Sequence, residues 1–86
     1  MTIEELRAEI DRIDSEMVRL YGERMKTAEL IGQYKKERNL PVTDPAREQA
    51  VLNRVGQLAG EENAAGVRDL FSLLMAHSRA RQEQGR

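Results

Sequence analysis

Arg24 and Lys35 occupy helical positions where an apolar stripe asks for leucine. Stepping at 100° per residue, both fall within about 20° of the direction set by Leu6, Ile10, Ile13, Met17 and Ile31. They are separated by three turns, over the modest side chains of Ala28 and Ile31, so their heads can converge on one object. On a second apolar face, Glu48 lies among Val51, Leu52 and Val55, with Arg47 at its edge. On a third, Ser78 continues the row of Val67, Leu70, Phe71 and Leu74, with Gln82 beside it. A cation buried without a partner is strongly disfavoured, so these inward charges must meet something. An ion pair of Glu48 with Arg24 or Lys35 is the plainest use. Two or three cations exceed one carboxylate, however, and the surplus fits a small polyanion, for which arginine offers bidentate carboxylate binding. Nucleophile-and-base pairs, glycine-rich phosphate loops and metal-ligand clusters do not appear.

Three helices must carry these side chains. The first runs from Ile3 to about Arg38, capped by Thr2 with Glu5 completing a capping box. Gly22 and Gly32 each weaken it by about 1 kcal/mol relative to alanine. Asn39–Thr43 is a short connector, and Asp44-Pro45 opens a second helix ending near Ala59 before Gly60. Asn63 is placed to cap a third helix, about Ala64 to Gln84. The sequence therefore predicts an all-α, three-helix chain, one long helix and two short, forming a single domain over residues 1–86. His77 lies off the apolar row and reads as a surface residue; Met17, Met25 and Met75 read as core or boundary fillers.

Bulk properties narrow the function. The 86 residues carry 14 basic and 15 acidic side chains, net −1, which argues against nucleic acid as partner. No cysteine is present, so disulfides and thiolate metal sites are excluded. No apolar run approaches the roughly 20 residues of a membrane span, and the N-terminus is acidic, so no membrane association and a cytoplasmic setting are expected.

The helix lengths pose a packing problem. The first helix is roughly 54 Å long, the others about 22 and 31 Å. The five-residue connector folds the second helix back on the far end of the first. The N-terminal half of the long helix would then present a bare apolar strip, which monomers avoid. An intertwined homodimer, with sites drawing on both chains, resolves this.

The ordered set Leu6-Arg7, Ile10, Ile13-Asp14, Glu23-Arg24, Ala28, Ile31-Gly32, Lys35, Pro41-Val42-x-Asp44-x-x-Arg47-Glu48, Phe71 and Ser78-x-x-x-Gln82 resembles the all-helical class of chorismate mutases. The resemblance spans Leu6 to Gln82. It implies an intertwined homodimer with two equivalent sites that turn chorismate into prephenate, the branch step toward phenylalanine and tyrosine. By resemblance, Arg7 reaches into the partner's site, and Arg7 and Arg24 hold the two substrate carboxylates. Lys35 and Gln82 donate to the ether oxygen. Glu48 and the Asp44 region hold the ring hydroxyl, and Arg47 and Ser78 support the carboxylate and ring-side contacts.

The reaction implied is an intramolecular Claisen rearrangement, requiring no cofactor or metal. It requires a dicarboxylate held in the reactive chair and donors for charge building on the ether oxygen. One rival is an isochorismate pyruvate lyase on the same scaffold, a relative that lacks the counterparts of Glu48 and Ser78. Another is a non-catalytic helical dimerisation module, in which leucine at positions 24 and 35 would be tolerated. A complex with another shikimate-pathway enzyme is a further possible partnership.

Overall fold

The computed structural model describes residues 1–84, and in that range the chain is three α-helices without a strand: α1 (Ile3–Glu37), α2 (Pro45–Ala59) and α3 (Ala64–Glu83). Thr2 caps α1 as the sequence predicts: its hydroxyl accepts from the Glu5 amide at 3.1 Å, and Glu5 accepts from the Thr2 amide at 3.2 Å. α1 ends one residue earlier than expected, because Asn39 takes a left-handed conformation, φ 54°. The Leu40 amide then donates to the Lys35 carbonyl at 2.8 Å, and the Asn39 amide donates to that of Lys36 at 3.2 Å. This is a Schellman turn, closed by one of the few side chains that tolerate that backbone region.

Asp44 caps α2 through a 3.1 Å bond from the Arg47 amide, with Pro45 at the first helical position. Gly60, at φ 82°, stops α2. The expected cap at Asn63 does not form through its side chain. Its backbone already lies near the helical region, whereas a side-chain cap needs an extended residue there. Only its carbonyl serves α3, accepting from the Val67 amide at 2.9 Å.

The packing corrects one expectation. α2 does not lie on the far end of α1; α3 packs against both, and α1 and α2 make no close backbone approach. Val51, Val55 and Met75 form the buried α2–α3 core, flanked by Leu52, Val67 and Phe71. Met25, Ala28 and Gly32 are the buried residues of α1, all toward its C-terminal end. Met17 is exposed, so of the three methionines read as fillers only Met25 and Met75 are buried in this chain. Among the described residues, no helix is long and apolar enough to cross a membrane.

Gly32 has a role beyond its helix cost. A β-carbon there would lie 2.7 Å from the Gln82 α-carbon and 2.9 Å from its carbonyl oxygen. α1 and α3 therefore cross at backbone contact, and the obstacle is rigid main chain. Gly32→Ala, although favoured by about 1 kcal/mol in an isolated helix, is expected to destabilise the protein by about 1–3 kcal/mol through overpacking. Thermal unfolding measures it, and a variant as stable as the parent would contradict this account of the crossing.

Candidate active site

Because α1 and α2 stay apart while α3 bridges them, a groove of ≈ 270 Å³ opens between the two, with α3 as its floor. Its size is near the lower end for small-molecule sites, and one side is open to solvent. Seven of the eight residues singled out from sequence line it: Arg24 and Lys35 from α1, Asp44, Arg47 and Glu48 from the start of α2, and Ser78 and Gln82 from α3. Arg7 does not. It lies exposed near the start of α1, 17 residues before Arg24 and so about 25 Å away along the helix.

Several of the polar heads are held by definite partners. The Arg24 Nη1 donates to Ser78 Oγ at 2.5 Å. Ser78 is buried, and its hydroxyl in turn donates to the Leu74 carbonyl at 2.9 Å. Ser78 thus spends its proton on its own helix and offers its oxygen to the guanidinium. The Arg24 guanidinium also lies 5.7 Å from the centre of the Phe71 ring. Burial, and then repulsion from Arg47, pull the Arg24 pKa below the usual arginine value. Both causes disfavour the lone cation, and an anion in the groove would offset both.

Lys35 is fixed at both ends. Its carbonyl takes the Leu40 amide in the Schellman turn, and its Nζ donates to the Val42 carbonyl at 2.8 Å. Val42 is the buried residue of the connector and lines the groove with Lys35, so the turn that ends α1 also fixes where the ammonium sits.

Glu48 does not pair with Arg24 or Lys35, the plainest expectation from the sequence. Arg79 takes it: Nη1 lies 2.6 Å from Oε1 and 2.7 Å from Oε2. Sequence reading missed Arg79 because it followed only one face of α3. A second row, Val67, Phe71, Met75 and Arg79, runs at four-residue steps. Its first three members pack in or against the α2 core, so the fourth had a readable address.

With Arg79 included, four cations line the groove against two carboxylates, Asp44 and Glu48. The excess is two positive charges. The Gln82 Oε1 is buried without a hydrogen-bond partner among the described residues, a state that ordinarily costs about 1–3 kcal/mol unless a ligand satisfies it. His77 lies outside the groove, exposed, and shares a 3.0 Å hydrogen bond with the Tyr21 hydroxyl.

Comparison with known proteins points the same way. Residues 6–83 match the family described as chorismate mutase type II. The chain is 32% identical over 83 residues to a chorismate mutase of Methanocaldococcus jannaschii, covering 93% of this chain and 83% of that one. It is 46% identical over 59 residues to a bifunctional chorismate mutase/prephenate dehydratase of Aquifex aeolicus, covering 69% of this chain but only 16% of that longer protein. A solved structure, a conserved hypothetical protein from Pyrococcus furiosus, superposes with a TM-score of 0.81 at 36% identity, covering 96% of this chain and 97% of that one.

Ser78→Ala removes the acceptor that orients Arg24 while leaving α3 its full backbone ladder. We expect kcat/KM for chorismate to fall about tenfold or more, the usual cost of one hydrogen bond to a charged group, with little change in melting temperature. Steady-state kinetics beside a thermal melt will decide; unaltered kinetics would remove Ser78 from the orienting role.

Proposed function

We propose that this chain, which belongs to the chorismate mutase type II family, carries out its reaction in the groove between α1 and α2. It is an isomerase acting on chorismate. The observation that carries the assignment to this groove is its excess of positive charge beside a partly desolvated Arg24, opposite in sign to a dicarboxylate substrate.

In this reading Arg24, backed by Ser78 and reinforced by Arg47, grips one carboxylate. That grip confines a flexible ether to the chair in which its two ends lie close, converting conformational freedom into bound geometry. The C–O bond then breaks as the new C–C bond forms, and no atom is gained or lost. Negative charge grows on the ether oxygen as the bond stretches. Lys35, already aimed by its two backbone anchors, stabilises that charge without reorganising. The Gln82 amide lies on the floor of the groove, on α3; with its amide rotated by 180°, Nε2 would replace the unpartnered Oε1 and donate to the same oxygen. Glu48 and the Asp44 region receive the ring hydroxyl. The lyase alternative gains nothing from this arrangement, since Glu48 and Ser78 both face the groove.

The second carboxylate is assigned to Arg7 of a second copy, within an intertwined homodimer. Support comes from shape. The radius of gyration is 16.0 Å, where a compact chain of this length has about 12 Å. The chain exposes 6649 Å², whereas a compact protein of its mass exposes about 5,200 Å². The excess is the size that a stable homodimer buries per subunit. It includes Ile3, Leu6, Ile10, Ile13 and Met17, the stripe that α1 leaves bare. Association with another enzyme of the pathway belongs to the same reading, since the Aquifex aeolicus relative's name joins the mutase to prephenate dehydratase.

Loss of the diene absorbance of chorismate on mixing is the direct assay. Lys35→Ala is expected to lower kcat by about 10²–10³, on the order of 3–4 kcal/mol, with the assembly intact by sedimentation. Near-normal turnover in that variant would sink the assignment. Arg7→Ala and Lys35→Ala should each be nearly inactive alone, but subunits mixed by unfolding and refolding should regain about a quarter of parental activity, because half of the dimers then hold one complete site. A mixture as inactive as its parents would refute site sharing.

A further inference from the structure

Arg79 belongs to none of the roles assigned above, yet it makes the closest contact in the groove that any side chain makes with a carboxylate. Its Nη1 sits almost symmetrically between the two Glu48 oxygens, at 2.6 and 2.7 Å. Both side chains are partly screened from solvent. The pair closes the end of the α2–α3 seam, one turn beyond Met75 on α3 and one turn before Val51 and Leu52 on α2. The apolar seam therefore sets where Arg79 stands, and Arg79 sets where Glu48 stands.

Such a contact has a chemical consequence. A carboxylate held by a cation is fixed as an acceptor, and it can take a hydrogen bond from a hydroxyl in only the directions the guanidinium leaves open. Without Arg79, Glu48 could swing toward Arg24, Lys35 or Arg47 and cancel the charge that receives the substrate. Arg79 thus does two things: it orients the acceptor and it keeps that acceptor from neutralising the groove's other cations.

We infer that Arg79 is a positioning residue that locks Glu48 as a directed acceptor for the substrate's ring hydroxyl, making the site sensitive to where that hydroxyl stands on the ring. The inference rests on the mutase reading and deepens it.

The test compares Arg79→Ala, Arg79→Lys, Glu48→Gln and the double variant Arg79→Ala/Glu48→Gln, with chorismate and with a chorismate analogue lacking the ring hydroxyl. With chorismate, Arg79→Ala should lower kcat/KM by about 10- to 100-fold, and Arg79→Lys should recover part of the loss. In the Glu48→Gln background the same substitution should change little, since the two act as a unit. With the analogue the loss in Arg79→Ala should be clearly smaller, since only the swing of Glu48 toward the other cations then weakens binding. An equal loss on the analogue, or an equal loss in the Glu48→Gln background, would reduce Arg79 to a structural pin and overturn the inference. Unchanged kinetics in Arg79→Ala would do the same. Should Arg79→Ala lose its helical circular dichroism, Arg79→Met, which retains the packed stem, is judged by the same comparisons. Wild-type protein that leaves chorismate unaltered would remove the mutase reading and this inference together, whereas brisk wild-type turnover with an indifferent Arg79 variant removes only the latter.

Discussion

Like charges held side by side repel, and the groove of this protein tolerates that repulsion. Arg47 lies close enough to disfavour the charge on Arg24, and Arg24 is partly desolvated as well. Of the two carboxylates that line the groove, Glu48 is already taken by Arg79 and Asp44 is occupied in capping α2. The helices are arranged to maintain this imbalance rather than to discharge it. α3 keeps α1 and α2 apart, the Schellman turn aims Lys35, and Ser78 steadies Arg24. On the proposed reading, a doubly charged guest would complete an electrostatic arrangement that folding left unfinished. The reaction would then draw on the same field as charge moves to the ether oxygen.

Local signals made much of this legible in the sequence. The Thr2–Glu5 capping box and the Asp44-Pro45 start are short-range chemistry, readable without tertiary structure. Arg24, Lys35, Glu48, Ser78 and Gln82 were visible because each interrupts an apolar row, and an interrupted row is conspicuous when helices are few and regular. What was not legible depended on a helix having two working faces. α3 buries one arc against α1 and another against α2, so a single-stripe reading captured Ser78 and Gln82 and passed over Arg79. Gly32 illustrates a second limit. Its sequence context speaks only of helix propensity, whereas its position is governed by the Gln82 backbone, fifty residues away along the chain. Asn63 illustrates a third: residue type favoured a cap, and backbone conformation withheld it.

The exposed apolar stripe of α1 and the solvent-open side of the groove are two aspects of one shape. Every residue of α1 before Arg24 is exposed in the single chain, while the buried residues cluster at the opposite end. A helix about 52 Å long cannot be covered by one of 20 residues that packs toward one end of it, and α2 does not lie against it. Length alone thus separates the part of α1 that builds the groove from the part that remains to be covered.

The junction after α1 bears on how such a chain can vary. Surface connectors ordinarily accept insertions and deletions with little penalty. Here the stretch from Asn39 to Asp44 begins with a left-handed residue that terminates one helix, lends a carbonyl to an ammonium in the groove, and finishes on the cap of the next helix. Adding or dropping a single residue would turn the Val42 carbonyl away and rotate α2 relative to α1. Among descendants of this sequence, the span should therefore drift in composition while its count of residues stays constant, a ruler drawn in peptide units.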